Sequence, residues 1–178
     1  SNYFCSPTIE RCHLTRNTSD VGGGGMYNEG ASPFINACSI RGNTATGAQT
    51  AEGWGGGIMN GYSTTATIVN CDVIGNTAKR GGGIFNIALS QAHMVNVSIV
   101  ANHASDLGGG VHTFFSSYHA FDNCIVWNNS PSQFTDEGDV PVERHSCVTG
   151  GYPGAPGAGN VAGDPLFVRA PSPGDDAI

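Results

Sequence analysis

The sequence predicts an all-β solenoid, a parallel β-helix of short stacked strands, and three observations predict it. A glycine triplet recurs four times, as GGGMYN (23–28), GGGIMN (55–60), GGGIFN (81–86) and GGGVHT (108–113). Between the triplets an apolar-rich segment ends in Asn each time: CHLTRN, CSIRGN, CDVIGN, VSIVAN and CIVWNN, closing at Asn17, Asn43, Asn76, Asn102 and Asn129. The step from the first Gly of a triplet to the next Asn is 20 or 21 residues throughout, whereas the step from Asn to the next triplet runs from 5 to 12. A constant framework with one variable turn is expected where insertions are confined to one face of a stacked repeat.

Each coil of roughly 26 residues holds three short pieces. The first follows the triplet and carries Met26, Ile58, Ile84 or Val111. The second lies three positions before the Cys column and carries Ile9, Ile35, Ile68, Met94 or Phe121. The third, as in CDVIGN, alternates with the period of two that marks a strand. None is long enough for a helix of useful length. About six or seven coils are expected, rising ~4.8 Å each. The extra residues of the one long turn fall in TATGAQTAEGW (44–54).

In-register stacking places Cys12, Cys38, Cys71, Val97 and Cys124 in one interior column and Leu14, Ile40, Val73, Ile99 and Val126 in the next. Small and β-branched side chains suit a narrow dry core. The cysteines read either as a disulfide framework or as free thiols serving as small hydrophobes, and Val97 in their midst favours free thiols. Cys5 and Cys147 lie outside the column or at its end, and a disulfide through either stays open. No CxxC or HxxxH spacing points to zinc. The Asn column is expected at a corner, tolerating left-handed backbone and bonding amide to amide between coils.

Composition narrows the function. The chain has 27 glycines in 178 residues and 12% charged residues, which favours turns over surface helices. Its 39% hydrophobic residues fall in regular clusters, which argues against disorder. The net charge is −7, with seven of the fourteen acids from Asp136 onward, and seven scattered basic residues make no phosphate-binding patch, so a nucleic-acid partner is not expected. There is no run of eighteen apolar residues to span a membrane and no signal-peptide pattern. The absence of an initiator Met reads as an excised or processed piece of a larger protein.

The copies SPFINACSIRGNTA, TATIVNCDVIGNTAKRGGGIFN and NCIVWNN resemble the right-handed parallel β-helix repeats of large bacterial surface and secreted proteins. These include chlamydial polymorphic outer-membrane proteins with their GGA(I/L/V) and FxxN motifs. The tail, through GNVAGDPLFV, is similar to the closing module of many planctomycete-type secreted proteins. FxxN is replaced here by LTRN, IRGN, VIGN, IVAN and VWNN. The resemblance implies an extracellular or cell-surface location, with residues 1–129 as coils and 130–178 as a last coil plus an irregular closing segment. It does not select a function, because the fold carries lyases, epimerases, tailspikes, adhesins and purely structural solenoids.

Candidate site residues come from the outward positions. A lyase-like centre needs clustered carboxylates and a base, and the variable turns offer Asp20, Glu52, Arg80 and Asp106. A structural Ca²⁺ is the one cofactor with candidates, on Asp136, Glu137, Asp139 and Asp164. If Ile84 points inward, Phe85 points out, stacked with Tyr27, Met59 and His112 and flanked by Trp54. Such a stripe suits a sugar ring or a protein partner, unless a turn covers it. The reading is a non-catalytic structural or adhesive module with a polysaccharide or another surface protein as partner. The alternative is a polysaccharide lyase or epimerase, or its inactive relic. Open coil ends, with unpaired backbone groups, invite end-to-end self-association.

Overall fold

The computed structural model describes residues 1–48, 53–137, 142–151 and 159–167. Every paired strand is parallel, and the strands stack into a β-helix with no helix among the described residues. The fourth coil shows the unit: Ile84–Ile87, Gln91–Val95, Ser98–Val100 and His103–Leu107. Each of the first three strands belongs to a six-stranded sheet that runs the length of the solenoid, called here the first, second and third sheets in chain order.

Two features differ from expectation. The solenoid makes about five turns rather than six or seven, because stacking ends at Cys147–Val148 and residues 159–167 add a single bridge, Cys147 to Val161. A fourth sheet of four short strands also occupies the segment after each Asn: Thr18–Ser19, Thr44–Ala45, Thr77–Arg80 and His103–Leu107. The variable turn is therefore partly regular, since its backbone groups find partners in the coil above and below.

The interior follows the sequence columns. Ile9, Ile35, Ile68, Met94 and Phe121 are register partners in the second sheet, and Leu14, Ile40, Val73, Ile99, Val126 and Val148 in the third. With Met26, Ile58, Ile84 and Val111 of the first sheet they make one continuous core. All six cysteines are free. Within the column each thiol donates to the carbonyl two residues earlier, for example Cys71 to Val69 at 3.1 Å. The column ends in Ser146, whose hydroxyl accepts from the Cys124 amide at 3.0 Å just as the Cys71 sulfur accepts from the Cys38 amide at 3.3 Å.

The Asn column is a buried hydrogen-bonded ladder. Asn76 Oδ1 accepts from both the backbone amide and the side-chain amide of Asn43, at 2.9 Å each. Asn76 Nδ2 in turn donates to Asn102 Oδ1 at 3.0 Å and to the carbonyl of Ile40 at 2.9 Å. Each interior Asn thus ties three coils together. The ladder closes on Gln133, whose Oε1 accepts from Asn129 Nδ2 at 2.8 Å in place of another Asn. The left-handed backbone expected at these Asn residues belongs instead to the residue before each: Arg16, Gly42, Gly75, Ala101 and Asn128. A side chain held in the ladder needs the corner made just ahead of it.

A second buried amide ladder, absent from the sequence reading, runs inside the first sheet from Asn2 through Asn28 and Asn60 to Asn86, at 2.7 to 2.8 Å. It ends below Thr113, whose hydroxyl donates to Asp136 Oδ1 at 2.6 Å. The glycine triplets pack against the Asn ladder: a methyl at Gly83, the third glycine of its triplet, would lie 3.1 Å from Asn102 Nδ2. The first glycine of each has positive φ, 61° at Gly81, and the second is crowded: a methyl at Gly82 would meet the carbonyl oxygen of His103 at 2.5 Å.

Candidate functional site

The stripe Tyr27, Met59, Phe85 and His112 is in register on the outer side of the first sheet. It is not exposed as expected. Phe85 and His112 are fully buried and Met59 is 4% exposed, with only Tyr27 part-exposed. The cover is supplied by the residue before each triplet, one coil earlier. Gly22, Trp54, Arg80 and Leu107 align between coils. A methyl added at Gly22 would lie 2.6 Å from Met59 Sδ. The indole of Trp54 stacks on Phe85, and the charge of Arg80 is felt at His112.

This cover makes a small second core outside the first sheet. His112 meets Phe85 edge-on with ring centroids 5.0 Å apart, and both its ring nitrogens lack hydrogen-bond partners. Burial, then the nearby Arg80 cation, pushes its pKa down to about 4, against a smaller upward pull from Asp136 and Asp106. Tyr27, at the N-terminal end of the stripe, donates its hydroxyl to Glu29 at 2.8 Å and packs near Tyr3.

The turn charges disperse into separate contacts. Arg80 Nε pairs with Asp106 Oδ2 at 2.8 Å, across adjacent coils and partly in solvent. Asp20 accepts a hydrogen bond from Thr46 at 3.1 Å, and Glu52 lies outside the described residues. A further pair, Arg41 to Asp72 at 2.9 Å, holds a guanidinium that is almost wholly buried on the third sheet.

The acidic candidates for a cation also part company. Asp136 turns into the solenoid, bonded to Thr113 and 3.4 Å from Nδ1 of the buried His119. His119 itself is stacked against Phe134. Glu137 is exposed, Asp164 accepts from the Leu166 amide at 2.8 Å, and Asp139 lies outside the described residues. Among the described residues no three His, Cys, Asp or Glu side chains gather as metal ligands.

A concave feature lies elsewhere, on the outer side of the second sheet near its C-terminal end. It is a depression of about 380 Å³ lined by His93, Val95, Tyr118, Ala120, Val142 and Arg144, with Asp122 at its rim. Register explains its shape. Ala120 sits between His93 and Val142, so a small side chain is bracketed by larger ones. Tyr118 stands at 90° to His93 with centroids 5.8 Å apart, its hydroxyl fixed on Gln91 at 2.8 Å. Asp122 faces Nδ1 of His145 at 3.3 Å. Arg144 has no side-chain partner among the described residues.

Phe34, Val95 and Val142 continue exposed apolar surface along the same sheet. The sequence carried a signal for this face in the alternate positions Gln91, His93 and Val95 against Tyr118, Ala120 and Asp122. The columns vary too much from coil to coil to read as a stripe. No protein-family model, no curated protein and no solved structure matches the chain.

Proposed function

We infer that this chain is a non-catalytic β-helix module of a secreted or cell-surface protein, of the repeat type found in bacterial surface proteins. Its role is structural and adhesive, and its ligand is a saccharide held on the outer face of the second sheet. The carrying observation is the depression at Tyr118, His93, Ala120 and Arg144: two rings at right angles on strands paired on both sides, and one guanidinium on the strand that ends the sheet. A flat, rigid face with part-exposed rings binds sugars by C–H contact at low entropic cost.

The lyase reading is weaker, because Arg80 is neutralised by Asp106 and Asp20 is engaged with Thr46. The free thiols of Cys38, Cys71 and Cys124 are shielded by burial, which also raises their pKa values, so an oxidising exterior would leave them reduced.

A glycan array with wild type, Tyr118→Ala and Phe85→Ala tests the reading. Binding by wild type and by folded Phe85→Ala, lost in Tyr118→Ala, is the expected pattern. Absence of binding to any saccharide overturns the adhesive role, and cleavage of a bound polymer overturns the non-catalytic one.

A further inference from the structure

We propose that the depression on the second sheet selects acidic saccharides, with Arg144 pairing to a carboxylate or sulfate of the sugar while Tyr118 and His93 pack against its ring. This rests on the saccharide-binding reading above and adds the charge of the ligand. Arg144 carries the selectivity. Its guanidinium lines the depression without a protein partner among the described residues, although the chain carries a net charge of −7. Arg80 and Arg41, by contrast, are committed to Asp106 and Asp72. A planar fork of donors beside an apolar floor of Ala120 and Val142 matches an anionic group attached to a ring.

The strands that carry the rings are held on both sides. Strand Gln91–Val95 is paired on both sides, by Thr65–Val69 and Tyr118–Asp122, and Tyr118–Asp122 is paired in turn with Val142–Arg144. Val142–Arg144 is the last strand of this sheet among the described residues, so an acidic peptide added along its outer edge is the competing occupant, and the ring corner of Tyr118 and His93 is what favours a sugar. The Tyr118 hydroxyl is anchored on Gln91, and this holds the ring upright as one wall of a corner closed by His93. A pyranose ring fits such a corner through its C–H face. Asp122 is the opposing charge, and its carboxylate is occupied by His145 at 3.3 Å. It sets the direction of entry, with the ligand anion toward Arg144 and the neutral edge of the sugar toward Asp122.

The test is affinity electrophoresis or interferometry on the full chain with polygalacturonate, dextran sulfate, neutral dextran and polyglutamate. Wild type is expected to retain on one or both acidic polysaccharides, more weakly as salt rises, and to ignore dextran and polyglutamate. Arg144→Gln should weaken that binding by about tenfold, Arg144→Lys should restore part of it, and Asp122→Asn should tighten it by about two- to fivefold. Both positions are exposed, so the variants should fold, and far-UV circular dichroism checks this. Equal binding of neutral dextran, or an unchanged Arg144→Gln, overturns the acidic selectivity and leaves saccharide adhesion standing. Binding to none of the polysaccharides overturns both. Equal capture of polyglutamate overturns the assignment to sugars in favour of an acidic peptide.

Discussion

Trp54, at the end of the long turn, lies on Phe85 of the following coil with ring centroids 5.0 Å apart and planes at 25°. That contact converts an outward aromatic position into a buried one. It closes the outer face of the first sheet there, whereas Tyr118 and His93 on the second sheet stay part-exposed.

The cover should be a stability element. Phe85→Ala is expected to cost about 3–5 kcal/mol in urea denaturation, the range for emptying a buried aromatic site. Gly22→Ala should destabilise as well, because its methyl meets Met59 Sδ and the Trp54 carbonyl. Stability of both variants equal to wild type would mean that the stripe is open in solution.

The two kinds of amide ladder should differ in weight. Asn76→Ala strands several buried partners at once, the amides of Asn43 among them, and is expected to cost about 3 kcal/mol or more. Asn96→Ala acts on an exposed ladder, Asn96 to Asn70 at 2.9 Å and Asn123 to Asn96 at 2.6 Å. It should cost about 1–2 kcal/mol, partly through its φ of 55°. Equal losses would contradict the assignment of the buried ladder as the main tie between coils.

Thiol accessibility should follow burial. Burial pushes the Cys71 and Cys124 thiols up to about 11, so at pH 8 both stay protonated and shielded, along with Cys38. An alkylating reagent should label Cys5 first in the native chain, and all six cysteines only after denaturation. Mass spectrometry of tryptic peptides reads this directly. Rapid native labelling at Cys71 would show that the column opens.

His112 gives a pH dependence with a definite sign. Its pKa in the fold, about 4, is below the ordinary 6.5, so the unfolded chain takes up the proton first. The stability associated with the neutral imidazole is therefore complete above pH 6.5 and is lost as pH falls from 6.5 toward 4. The loss is at most about 3 kcal/mol. Urea midpoints at pH 7, 5.5 and 4.5 should fall more steeply for wild type than for His112→Phe. Parallel curves would place the acid sensitivity in the carboxylates instead.

The repeat by itself determined a great deal: the parallel stack, the register of the interior apolar columns and the stacked Asn column at a corner, whose burial came from the structure, were all readable. Each is a one-dimensional consequence of residues recurring at a fixed step, because coils stacked in register place like positions above one another. Tertiary structure decided what the outward positions do. Whether Phe85 meets water depends on the path of the turn that delivers Trp54, and whether Ala120 becomes a hollow depends on the sizes of His93, Tyr118 and Val142 around it. Those outcomes arise between neighbouring columns and between successive coils, where side-chain volume and turn geometry, rather than period, determine exposure.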